Sequence, residues 1–137
     1  MRKIIGAAAT VAILAASGAA WAGPPPPIPK GNHYTCYPAK FTDKFARHPA
    51  TVTDQMGTYK VVVTGISRVC MPARKIVDGK VFEPVDPKAH LTCYTVVLET
   101  KPKLVDVVTN DQFGVHTNVR LAPPNELCLP AGKVKQG

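Results

Sequence analysis

The stretch 115–121, Val-His-Thr-Asn-Val-Arg-Leu, alternates apolar or threonine positions with polar ones, the period-2 pattern of a strand covered on one face. It predicts that His116, Asn118 and Arg120 face solvent. The stretch 58–64 reads the same way but is richer in valine, which predicts deeper cover. Residues 105–109 are short and β-branched, again a strand. Residues 91–98 predict a strand with Leu91, Cys93 and Val97 on one face. Between these segments, residues 75–82 place Asp78-Gly79 in the middle of an apolar run, the signature of a tight hairpin. No window carries a long apolar stripe at helical spacing, and 14 prolines oppose helices. The pattern predicts an all-β fold.

Laid on itself at an offset of 57, the chain repeats. His33-Tyr34-Thr35-Cys36-Tyr37 falls on His90-Leu91-Thr92-Cys93-Tyr94, and Asp54-Gln55-Met56-Gly57 on Asp111-Gln112-Phe113-Gly114. With one extra residue near Pro123-Pro124, Val69-Cys70-Met71-Pro72-Ala73 falls on Leu127-Cys128-Leu129-Pro130-Ala131. Three blocks in one order at nearly constant spacing indicate internal duplication. A copy of about 45 residues rarely folds alone without staples, so the two copies are expected to share one core. The expectation is two pseudo-symmetric four-stranded repeats forming a small barrel or sandwich stabilised by disulfides. Repeat 1 spans 33–75, a connecting hairpin 76–89, and repeat 2 spans 90–133, within a single β domain over 33–137.

The first 22 residues change the setting. Met1-Arg2-Lys3, an apolar run over 4–16 and an ending at Ala20-Trp21-Ala22 have the anatomy of a cleaved secretory signal, and the run is short of the roughly 20 apolar residues that span a bilayer. The protein is therefore expected to be secreted or periplasmic and not membrane-spanning after cleavage. Cleavage after Ala22 would leave 115 of 137 residues and remove Arg2 and Lys3, so 15 of 17 basic residues face 9 acidic ones and the charge is +6 instead of +8. A cationic surface favours anionic partners such as acidic glycans or lipid headgroups. The basic residues read as scattered, with no aromatic-interleaved stripe of the kind nucleic-acid binding wants. Residues 23–32, opening Gly23-Pro24-Pro25-Pro26-Pro27, read as a stiff proline-rich linker outside the core.

Four cysteines in an exported chain suit two disulfides. Pairing within copies, Cys36 with Cys70 and Cys93 with Cys128, is favoured because duplication starts from a unit that stabilises itself. Exchange between copies, Cys36 with Cys128 and Cys70 with Cys93, is the rival. The spacings His33-x-x-Cys36 and His90-x-x-Cys93 also offer nitrogen and sulfur to a metal, but residues three apart on a strand face opposite ways. No cofactor is expected, and His33 and His90 stand as an alternative metal or small-ligand face. The recurring aspartates could form a paired acid/base, yet Asp54 and Asp111 read better as turn residues, with Gly57 and Gly114 supplying positive φ. Met56 and Phe113 are then expected to turn inward as core plugs, and truncating a fully buried Phe113 would cost roughly 3–5 kcal/mol.

The blocks carried by His90, Cys93, Tyr94, Asp111, Gln112, Phe113, Gly114, Leu127, Cys128 and Pro130 resemble a family of uncharacterised exported bacterial domains, often found in tandem. Its pattern runs H-x-x-C-Y, D-Q-F-G, L-C-x-P. The first copy departs from it at Met56 and Val69. The resemblance implies an exported structural or binding module without assigned activity. With no G-x-S-x-G elbow and cysteines suited to disulfides, the expectation is a non-catalytic module of the envelope or extracellular space. Its expected partners are itself, an envelope or extracellular protein, or an anionic glycan or lipid headgroup, with no nucleic acid.

Overall fold

A computed structural model describes residues 21–136. Residues 1–20 of the expected signal lie outside the described residues. The rest is all-β, with no helix among the described residues. The strands are β1 (Tyr34–Pro38), β2 (His48–Asp54), β3 (Gly57–Pro72), β4 (Lys75–Val77), β5 (Lys80–Phe82), β6 (His90–Leu98), β7 (Val107–Asp111), β8 (Gly114–Val119) and β9 (Glu126–Ala131).

One antiparallel sheet spans both copies, in the order β1-β3-β6-β9, with β2 also paired to β3. β3 makes this possible because its 16 residues serve two partners along one side. Its first half pairs with β2 and its last five residues with β1. Two register shifts against β6, at Val63/Gly65 and Ile66/Arg68, absorb extra residues without ending the strand. The second copy has Pro123-Pro124 in the matching region. β8 stops at Val119, just after Asn118 turns to a positive φ of 58°, and β9 begins afresh at Glu126 beyond the two prolines, which cannot donate to a ladder. Of the four strands expected in each stretch, 90–133 holds four, β6 to β9, and 33–75 holds three complete ones, β1 to β3.

The two copies also contribute unequally. The β2–β3 hairpin lies in the main sheet, whereas its counterpart β7–β8 is a separate two-stranded ribbon, as is β4–β5. The sheet is open, with β1 and β2 on one edge and β9 on the other. The β4–β5 turn has positive φ at both central residues, Asp78 at 51° and Gly79 at 73°, the primed turn that matches strand twist.

Burial is sparse. Tyr59, Val61 and Val96 form an apolar cluster, flanked by Ala50, Val52, Val63, Leu98 and Leu127. Residues in register share a face, and Val61 is opposite Ala50 and Leu98 while Val63 is opposite Val96. Cys93 is three residues from Val96, so the pleat turns it to the other face. There Cys70 and Cys93 are buried to 1% exposure. Leu91, Cys93 and Val97 do share a parity, but cover of that face runs out before Val97, which is exposed.

Both disulfides join directly opposed residues, Cys36 with Cys70 across β1–β3 and Cys93 with Cys128 across β6–β9. Glu126 ties the outer strand to the centre: its Oε1 accepts from Ser67 Oγ at 2.9 Å and Arg68 Nε at 2.8 Å, both on β3. Ser67 reaches it because the second register shift falls at that position.

Candidate functional site

Each Asp-Gln-x-Gly block closes a hairpin. Asp54 Oδ1 accepts from Met56 N at 2.7 Å, and Asp111 Oδ1 from Phe113 N at 2.8 Å. Gly57 and Gly114 follow at φ of 121° and 124°, which L side chains rarely adopt. Asp54 Oδ2 also accepts from the Tyr59 hydroxyl at 2.9 Å, and Asp111 Oδ1 lies 3.6 Å from His116 Nε2. The two aspartates sit on different hairpins with their carboxylates engaged locally.

Phe113 corrects the sequence reading. Its ring is 71% exposed, and Met56 is only half-buried. A plug needs a core beneath the turn, but the β7–β8 ribbon is not part of the main sheet, so the hairpin tip projects its side chain outward. The residue that does fill the core beside the first turn is Tyr59.

Phe113 instead forms one wall of a cleft of about 380 Å³ with Ile28, His33, Lys75, Phe82, Asp111 and Gln112. Four separate segments build it: the proline-rich stretch, the lead into β1, the β4–β5 ribbon and the β7–β8 turn. Lys75 Nζ lies 5.2 Å from the Phe82 ring centroid and 5.4 Å from that of Phe113, within cation–π range. The His33 ring packs on Phe82 at 5.4 Å. The proline-rich stretch is not a free spacer here, since Asn110 Nδ2 donates to the Pro26 carbonyl at 2.9 Å. Asn32 and Asp86 exchange two hydrogen bonds just below it.

His33 and His90 are half-buried, and neither Nδ1 has a hydrogen-bond partner. His33 lines the cleft and His90 does not. The thiols three residues on, Cys36 and Cys93, are spent in disulfides and cannot ligate as thiolates. The described residues contain no cluster of three or more metal-ligating His, Cys, Asp or Glu side chains. The metal alternative on His33 and His90 loses its co-ligands.

A second surface comes from the loop between β1 and β2, where Lys40, Phe41, Lys44, Phe45 and Arg47 alternate in type. Phe45 packs on Tyr94 at 5.7 Å and edge-on to His48 at 5.5 Å, and Phe41 meets Phe45 edge-on at 6.4 Å. Ala39 N donates to the Ser67 carbonyl at 2.9 Å, fastening the loop's start. Lys40, Lys44 and Arg47 are exposed, and Phe41 is 47% exposed. Sequence reading missed this stripe because it read the cations as scattered and gave Phe41 and Phe45 no role. The alternation over 40–47 was the available signal. Lys75 and Phe82 were likewise read only as hairpin positions.

No family model, curated protein or solved structure matches the chain. Among the described residues, no helix is long and apolar enough to cross a membrane.

Proposed function

We propose that this protein is an exported, non-catalytic β module that seats on an anionic lipid surface of the cell envelope through the loop between β1 and β2. The observation that carries the reading is the loop's construction. Phe45 roots it on Tyr94 and His48, and Phe41 is held outward among exposed Lys40, Lys44 and Arg47. An exposed aromatic ring enters the boundary between headgroups and acyl chains, while neighbouring cations pair with anionic headgroups. Asp43 is the one acidic residue in the segment, so the loop's charge is complementary to such a surface.

Export is supported by the leader-like start and by the engagement of all four cysteines in disulfides. The cationic net charge, +6 once Arg2 and Lys3 leave with the signal (15 basic residues against 9 acidic), adds a long-range attraction to the same partner. A non-catalytic role is supported by the aspartates' engagement in their own turns.

Co-sedimentation with vesicles tests the reading. The protein is expected to bind phosphatidylglycerol vesicles and not phosphatidylcholine ones, with affinity falling as salt rises. At about 1 kcal/mol per basic residue near the surface, the Lys40→Ala, Lys44→Ala, Arg47→Ala triple variant should bind roughly 100-fold more weakly. Equal binding to both vesicles, or retention on an acidic glycan column without vesicle binding, overturns it.

A further inference from the structure

The cleft walled by Phe82 and Phe113 is separate from the loop on which the proposed function rests, and its chemistry is different. Its lining is mainly apolar, and its volume of about 380 Å³ is at the small end of the range of roughly 300–1,000 Å³ for ligand sites. Phe113 is left 71% exposed at the cleft's rim on a turn fixed by the Asp111 carboxylate and the positive φ of Gly114. Such a turn holds an exposed ring in place, so a ligand stacking on it loses little freedom of the protein.

Lys75 supplies the polar centre. It is half-buried, its ammonium lies within 5.4 Å of both ring centroids, and among the described residues it forms no ion pair with a carboxylate. Its neighbour Arg74 takes Glu83 at 2.6 Å, leaving the ammonium to the cleft. A cation drawn partly out of water and given only ring faces is better satisfied by an incoming anion. The anion must carry an apolar body to use the two phenyl walls and Ile28. Asp111 also lines the cleft, and a carboxylate there penalises a doubly charged head such as a phosphate monoester more than a single charge.

We propose that this cleft binds a small amphipathic monocarboxylate, its carboxylate paired with Lys75 and its apolar or aromatic body held between Phe82 and Phe113 over Ile28 and the His33 ring. No bond is made or broken; the site is one of capture. The matching turn at 54–57 presents half-buried Met56 where the turn at 111–114 presents an exposed ring, so that turn builds no second site of this kind.

Calorimetric titration of the purified protein with 3-phenylpropionate, with its neutral amide as control, tests the assignment. The acid is expected to bind at least tenfold more tightly than the amide. Lys75→Gln and Phe113→Ala are each expected to weaken the acid at least tenfold, with unfolding temperature little changed because both side chains lie at the surface of the fold. Phenyl phosphate is expected to bind more weakly than the acid and to gain on it in Asp111→Asn. The assignment is overturned if amide and acid bind equally, if Lys75→Gln binds the acid undiminished, or if tetramethylammonium binds the cleft in preference to the acid, which would make it a cation cage. Vesicle binding is read separately, so loss of one result leaves the other standing.

Discussion

Cys70 and Cys93 meet across β3 and β6 with their sulfurs 4.0 Å apart, and each is the buried inner half of a disulfide whose outer half is exposed. Four sulfurs thus cross the sheet from β1 to β9 in one row. One bridge joins β1 to β3 and the other β6 to β9, so the contact between them links the two halves of the sheet at this end.

The row sets the first prediction. Each bridge closes a loop of 34 or 35 residues, for which the loop-entropy estimate is roughly 3–4 kcal/mol. Cys36→Ala with Cys70→Ala, and separately Cys93→Ala with Cys128→Ala, should each lower stability by about that amount in urea unfolding. Because the inner sulfurs touch, the quadruple variant should depart from the sum of the pairs. Strict additivity would show that the contact carries no coupling.

Gly57 and Gly114 predict backbone costs. An added Cβ at either meets nothing within 4 Å, so alanine there is penalised for conformation and not for space. With φ at 121° and 124°, each Gly→Ala should cost about 1–3 kcal/mol. Gly57→Ala should be read in global unfolding. Gly114→Ala should be read in faster amide exchange of the β7–β8 ribbon, because that hairpin stands outside the main sheet.

Phe113→Ala should change stability by no more than about 1 kcal/mol, since an exposed ring loses little more than its contact with Lys75. A thermal melt decides this. A loss of roughly 3–5 kcal/mol would place the ring in a core after all.

Tyr59 predicts an alkaline limit. Burial lifts its hydroxyl pKa above the ordinary value of about 10, and the hydrogen bond to Asp54 and the charge of that carboxylate add to the rise. The fold therefore favours the protonated phenol. Below pH 10 folded and unfolded chains both keep the proton and the contribution is complete; above it the unfolded chain releases the proton first, and stability falls as pH rises through the folded value. Melting temperature should drop more steeply above pH 10 in the native protein than in Tyr59→Phe. That variant should lose about 1 kcal/mol at neutral pH, where the hydrogen bond is its main loss.

Glu126→Gln should detach β9 from β3 partially. It weakens the charge-assisted bond from Arg68 and leaves Ser67 an acceptor of lower strength. A loss of about 0.5–1.5 kcal/mol is expected in denaturant unfolding, and most of it should vanish with Arg68→Ala already in place.

The sequence by itself determined what is local. Period-2 alternation marked parts of β3, β6 and β8 and a β-branched run marked β7 to within two residues, Asp and Gly set the turns at 54–57 and 111–114, and Asp78-Gly79 set the short hairpin, because each depends on a few neighbouring residues. The number of cysteines and the leader-like start pointed to disulfides in the same way, and the pairing favoured from the sequence, Cys36 with Cys70 and Cys93 with Cys128, is the one the structure holds. Tertiary structure decided what the local pattern left open. Whether an apolar side chain is plug or wall depends on what lies over its hairpin: Tyr59 sits in the main sheet and is buried, while Phe113 sits on a separate ribbon and is exposed. The long β3 arose because the first copy meets Gly65 in the region where the second meets Pro123-Pro124, a bulge in one case and a broken ladder in the other. The cleft at Lys75 joins residues from 28 to 113, a proximity that follows from how the ribbons pack and is written in no single segment of the chain.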